Sequence, residues 1–291
     1  MALEQIAIEP VLKYFCISKQ IIKEQSSSFY FAFSKLPSYQ AYSIFVIYDF
    51  LRQLDDAADT SNHSKFNELV LNWEKASQKN SIIINHQSNI SEKVAYIFQT
   101  FSIDNKFLED MIVGQQHDLN GENITTMTQL ETYCYQVAGT VGCMIYSILS
   151  PNSIDAIKQK VIEVGIALQL TNILRDVHED ALEGRYFIPE RLLYKYGVSH
   201  KELLDYPTSD NLKGIFKILS NKSLKNYEES QNIMTHISDR KSRVALELSI
   251  EVYKKILVKL IKHDFENITT RMYVTRIEKL VILGKILLKS Y

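Results

Sequence analysis

Apolar positions recur at helical spacing along almost the whole chain. Pro10 opens a first predicted helix that runs to about Glu24, where the polar stretch from Gln25 to Ser28 interrupts the pattern. Pro37 stands just ahead of a second long segment, and no glycine or proline occurs between Tyr39 and Asp59. Further helices are predicted over residues 64–78, 91–100, 105–119 and 126–150, the last stopped by Pro151. Another runs over residues 155–182, ahead of a break marked by Gly184 and Pro189. A short helix over 190–196, a polar stretch over 207–210 and three more helical segments ending near Tyr291 complete the pattern. Residues 79–89 and 122–126 read as loops. The apolar run 81–84 has room for a strand, but one isolated run cannot make a sheet. No repeat of fixed period, low-complexity linker or composition shift divides the chain. Residues 1–291 are therefore expected to form one all-α domain.

Composition narrows the function classes. The hydrophobic fraction of 46% supplies a sizeable core, which excludes a disordered reading. Lys and Arg number 33 against 34 Asp and Glu, so no general basic field exists for nucleic acid. Cys16, Cys134 and Cys143 lack metal-ligand spacing and read as buried small hydrophobes in a reducing cytoplasm. The segment from Met1 to Pro10 lacks the basic-then-apolar layout of a signal peptide. The run at 43–48 stops at Asp49 and the tail 280–288 is cut by Lys285, both too short to span a membrane. A cytoplasmic protein is expected, with peripheral membrane contact still allowed.

Two helices carry the chemistry. Asp55 and Asp59 lie four apart on the second long helix, and Asp176 and Asp180 four apart on the helix over 155–182. Like charges at that spacing share a face and repel, and a divalent cation reverses the sign. Helical steps back from Asp55 reach Arg52 and Tyr48; steps back from Asp176 reach Asn172 and Gln169. Both polar stripes are embedded in apolar helices, so they need internal partners. Magnesium takes oxygen ligands, uses few carboxylates and completes its shell with water and phosphate. Arg52 and Arg175 present forked donors to phosphate oxygens. Such a mouth over an apolar chamber suits a diphosphate joined to a hydrocarbon.

The same segments resemble the squalene/phytoene synthase family, most nearly its bacterial dehydrosqualene (4,4'-diapophytoene) synthases. The resemblance rests on Ser26-Ser27-Ser28-Phe29-Tyr30 with Leu36-Pro37, on Tyr48, Arg52 and Asp55-Asp56-Ala57-Ala58-Asp59, and on the run from Tyr133 to Gly142. It continues from Leu168 through Asn172, Arg175 and Asp176 to Asp180, then Arg185-Tyr186-Phe187 and Pro189. It implies a single-domain isoprenoid-synthase helical fold around a central cavity. The implied reaction is Mg²⁺-dependent head-to-head joining of two farnesyl diphosphates through presqualene diphosphate to dehydrosqualene, in carotenoid biosynthesis.

By matched position the resemblance assigns Asp55, Asp59, Asn172, Asp176 and Asp180 to Mg²⁺, and Arg52, Arg175 and Gln169 to diphosphate. Tyr48, Tyr133 and Tyr253 would line the reaction centre, and Asp118 matches a further acidic position. Where family members offer His and Lys to a diphosphate, this chain has Gln25 and Ser27, beside Ser26 and Ser28, and lacks the positive charge. Phe33 and Phe45 are expected to close the end of the chamber and so to favour C15 over C20 chains. Ala138, Gly139 and Gly142 are read as a close-packing segment, and His178, off the acidic stripe, as solvent-facing. The competing readings are a phytoene synthase using geranylgeranyl diphosphate, an NADPH-dependent squalene synthase, a head-to-tail prenyl synthase or terpene cyclase, and a non-catalytic helical scaffold.

Overall fold

The computed structural model describes residues 3–151 and 153–289, and among them it contains helices and no strand. Fifteen α-helices follow in chain order: α1 (Leu3–Ile8), α2 (Cys16–Gln25), α3 (Ser27–Phe33), α4 (Ser38–Asp59), α5 (His63–Ser77), α6 (Ile90–Thr100), α7 (Lys106–Leu119), α8 (Met127–Cys134), α9 (Thr140–Leu149), α10 (Ile154–Leu182), α11 (Glu190–Tyr196), α12 (Asp210–Tyr227), α13 (Ser230–Met234), α14 (Arg240–Lys262) and α15 (Arg276–Leu288). Helix α10 is central, packed against α9, α12 and α14; α4 packs on α2, α6 and α7.

The polar interruption after Gln25 is a true helix break. Ser26 leaves helical geometry, and its hydroxyl accepts the Phe29 N–H at 3.5 Å, starting α3. Asp49, which ends an apolar run in the sequence, is buried in α4. There it accepts from the Ser18 hydroxyl of α2 at 2.7 Å and from Gln53 at 2.8 Å.

Several boundaries differ from expectation. Among the described residues helical structure is present from Leu3, with Pro10 at the first turn of a 3₁₀ segment, Glu9–Phe15, where its missing N–H costs nothing. Residues 81–85 form no strand and no helix, and Ile82 and Ile84 are buried. The expected helix over 126–150 is α8 and α9 joined by a π-helical turn, Tyr135–Gly139. Glycines hold that turn against its neighbours. A Cβ on Gly165 would lie 2.6 Å from the Gly139 Cα, and one on Gly114 would lie 2.8 Å from Val137 Cγ1. The end of the chain expected to be helical up to Tyr291 lies partly outside the described residues, as does Met1. Cys134 and Cys143 are buried free thiols, whereas Cys16 is exposed on the outer side of α2. No helix among the described residues is long and apolar enough to cross a membrane.

Candidate active site

Helices α4 and α10 bring their acidic ends together. Gly184, at φ +75°, turns the chain sharply after α10, and the Arg185 N–H donates back to the Asp180 carbonyl at 2.8 Å. Arg185 thereby returns over the acids. Its guanidinium reaches Asp59 at 2.5 Å, Asp180 at 3.2 Å and Glu183 at 2.7 Å, joining the two stripes. Arg52 pairs with Asp55 at 3.0 Å and Asp56 at 2.7 Å. Arg175 holds both Asp176 oxygens, its Nε donating at 2.7 Å. Arg271, from the loop after α14, reaches Asp176 at 3.1 Å and Glu179 at 3.4 Å.

Burial sets the electrostatics. It pushes the Asp55 carboxyl up to about 6, helped by Asp59 and opposed by Arg52. Asp180 is raised to about 7 by burial, with Arg185 opposing and Asp176 adding. Asp59 is raised as well, again chiefly by burial. Asp118 also reaches about 7 through burial, although it accepts the Tyr133 hydroxyl at 2.9 Å; the Asp55 and Asp59 charges add to the rise. Tyr48 is raised by burial to about 12 and keeps its proton.

An apolar chamber opens beneath this mouth. Gln169, Asn172 and Tyr253 stand at its rim, with Phe29 stacked on Tyr253 at 5.1 Å and Phe33 on Phe29 at 6.0 Å. The π turn presents Val137 and Ala138 to the chamber wall. Along α10 the lining runs from Asn172 down to Val161, about 16 Å at the helical rise. Ile145, Tyr146, Ile233 and Leu246 line it at the other end, where the Tyr146 hydroxyl donates to the Ile233 carbonyl at 3.2 Å.

The model of the squalene/phytoene synthase family matches residues 22–278. The chain belongs to that family. Among its relatives, phytoene synthase 3 of Zea mays is 30% identical over 282 residues, covering 93% of this chain and 65% of that protein. Phytoene synthase 1 of Solanum lycopersicum is also 30% identical, over 83% of this chain and 60% of its own. The chain thus spans less than two thirds of those two plant proteins. A crystal structure of a dehydrosqualene synthase in complex with ligand superposes with a TM-score of 0.86. It is 28% identical and covers 97% of this chain and 98% of its own. The isoprenoid-synthase helical fold expected from the sequence is the fold observed.

Against the family's expected site, the structure brings Tyr48, Arg52, Asp55, Asp59, Asp118 and Tyr133 together, and Gln169, Asn172, Arg175, Asp176 and Tyr253 likewise. Tyr253 partners Arg175. Ser26 lies against Tyr48, and Ser28 is half-buried on α3. Gln25 is exposed at the end of α2. At Ser27 a cation reaches the segment from another helix: Lys279 of α15, itself buried, donates to the Ser27 hydroxyl at 3.1 Å. Phe33 lines the chamber. Phe45 does not; its ring is buried against Tyr30 and Tyr42 in the core between α3 and α4. His178, expected in solvent, is half-buried, its Nδ1 3.4 Å from the Leu203 carbonyl.

Sequence reasoning gave no role to Arg185, Arg271 or Lys279. The first two sit on loops, where no periodicity marks a face, and Lys279 reads as an ordinary surface lysine until α15 is placed.

The residues fit a magnesium ion by their donor chemistry. The Asn172 Oδ1 is buried without a hydrogen-bond partner while its amide donates to Gln169 at 3.2 Å, leaving one oxygen for a cation. Among the described residues no three His, Cys, Asp or Glu side chains already form a chelate. Magnesium needs none, because water and phosphate oxygens supply most of its shell.

Proposed function

We propose that this chain joins two farnesyl diphosphates head to head, through presqualene diphosphate, to dehydrosqualene, using Asp55, Asp59, Asn172, Asp176 and Asp180 to hold Mg²⁺. The observation that carries the reading is the apolar chamber opening directly under Gln169, Asn172 and Tyr253, with the two acidic stripes and their arginines at its mouth. Bound magnesium would neutralise charge on a departing diphosphate. Arg52 and Arg175, already at the rim, exchange carboxylate for phosphate oxygens, which match their forked donors. Tyr48 and Tyr133 keep their protons because burial raises both hydroxyls, so each acts as a donor. The apolar chamber wall disfavours water, and the aromatic cluster of Phe29, Phe33 and Tyr253 favours a cationic hydrocarbon near the rim. Proton loss then ends the reaction without a reductant. The product places the enzyme in carotenoid biosynthesis.

A phytoene synthase reading, on C20 geranylgeranyl diphosphate, is favoured by one observation: the relatives just described include plant phytoene synthases. Incubation with C15 or C20 diphosphate and Mg²⁺, with and without NADPH, followed by mass analysis of the hydrocarbon, separates the readings. An unreduced C30 hydrocarbon is expected, unaffected by NADPH. A C40 product, or squalene formed only with NADPH, overturns the assignment.

A further inference from the structure

Helix α15 is built the wrong way round for a solvent-facing helix. Lys279 is buried, 5% exposed, while Ile277, Leu280, Val281, Leu287 and Leu288 are 75, 58, 52, 47 and 85% exposed. At 100° per residue those five and Gly284 fall within one arc of about 120°, opposite the inward positions 279, 282, 283 and 286. The apolar stripe is therefore continuous along the helix and has no partner among the described residues.

Cations border it. Arg276 lies on one side of the stripe, Lys285 and Lys289 on the other. A groove between α14 and α15 has Val258, Val281 and Ile286 among its lining, with Lys254, Lys255, Lys285 and Lys289 against Glu251 and Glu278. Glu278 is already paired with Lys259 at 2.7 Å, and Lys289 with Glu247. Lys254, Lys255 and Lys285 form no ion pair among the described residues.

We propose that the outer face of α15, with the lysines of α14, docks on the surface of an anionic phospholipid bilayer. An interfacial helix of this kind inserts its apolar stripe at the headgroup boundary while its cations meet lipid phosphates. A second copy of the chain fits less well. It would bring only Glu251 and Glu278 to the lysines, and Glu278 is already held by Lys259, whereas lipid phosphates answer the unpaired Lys254, Lys255 and Lys285. The opposite, inward face of α15 adjoins the chamber wall, because its Lys279 holds Ser27 of α3, whose Phe29 and Phe33 line the chamber.

The test is co-sedimentation of the purified chain with vesicles of pure phosphatidylcholine or of a phosphatidylglycerol–phosphatidylcholine mixture, at low and high salt. No prenyl diphosphate or metal is present, so the outcome is independent of the proposed reaction. The wild type is expected to bind the anionic vesicles, to prefer them to neutral ones and to release with salt. Lys254→Glu with Lys255→Glu is expected to weaken partitioning by on the order of 30-fold or more. Leu280→Asp with Leu288→Asp is expected to abolish it, with circular dichroism confirming unchanged helicity. Tyr194→Asp, on α11 at a side chain 90% exposed, serves as the control and leaves binding intact. Absence of vesicle binding, or binding indifferent to lipid charge and to both paired variants, overturns the proposal. So does a dimer in sedimentation velocity that the Leu280→Asp/Leu288→Asp variant dissolves while vesicles bind neither form.

Discussion

Replacing Asp180 by Asn tests the electrostatics of the site separately from its catalysis. The Asp180 side chain is 15% exposed, accepts from Arg185 at 3.2 Å, and has its carboxyl raised to about 7 from an ordinary 3.8. Below the ordinary value both folded and unfolded chains carry the proton, and the charge costs nothing. As pH rises towards 7 the unfolded chain ionises first, so stability falls by about 1.4 kcal/mol per pH unit and is flat above. Over that interval the nominal cost is about 4 kcal/mol. Asn gives up a charge-assisted bond to Arg185, and relaxation softens the buried charge, so about half is recoverable, roughly 2 kcal/mol. For a chain of this length that raises the melting temperature by about 4 °C near pH 8, and by only about 1–2 °C near pH 5. The assay is thermal unfolding of both proteins in chelator at the two pH values. It is repeated with Mg²⁺ and diphosphate, where only the wild type is expected to gain stability. An Asn variant less stable than wild type near pH 8, or a difference that does not change with pH, refutes the reasoning.

Asp55→Asn and Asp176→Asn are each expected to lower turnover by about 10³-fold or more with helicity unchanged, and excess chelator to do the same to the wild type. Steady-state kinetics over a Mg²⁺ series checks this, and full turnover in chelator removes the metal from the assignment. Phe33→Ala is expected to shift kcat/KM towards the C20 substrate by about tenfold, since shortening a ring that lines the chamber makes room for part of an isoprene unit. Phe45→Ala is expected to leave that ratio unchanged while destabilising the fold by about 3–5 kcal/mol, because its ring lies in the core away from the chamber.

The parts of this architecture that obey a period were readable in the chain. Helix α10 appears within one residue of its predicted span, and the two acidic stripes occupy the site because spacings of three and four fix a helix face. The π turn escaped because nothing in Tyr135–Gly139 encodes an extra residue per turn. The turn is set from outside, by the close approach of Gly165 on another helix. Arg271 escaped for a similar reason. It is aimed by a loop anchored at Phe265, which packs on Phe216 at 5.4 Å, and by Lys259 donating to the Tyr273 carbonyl at 2.9 Å. Phe45 illustrates the converse. Its spacing from Tyr48 was right for the same helix region, but which ring faces a cavity depends on α3, and there Phe29 and Phe33 take the wall.

The paired arginines explain why the acidic stripes do not form a ready chelate. Asp55 has Arg52 at 3.0 Å, Asp59 has Arg185 at 2.5 Å, and Asp180 shares that same guanidinium at 3.2 Å. An ion pair at contact distance ordinarily lowers a carboxyl, yet all three are raised, with burial the leading cause in each. Here the pairing does not repay the desolvation of the carboxylates. Such pairs offset only part of the mouth's negative charge: Arg52, Arg175, Arg185 and Arg271 face Asp55, Asp56, Asp59, Asp176, Glu179, Asp180 and Glu183. In the proposed reaction each partner would be exchanged, carboxylates towards a divalent cation and guanidinium groups towards the oxygens of a diphosphate. The residues that now pair with one another would then be the ones that bind the cation and the diphosphate, each taking a partner of higher charge.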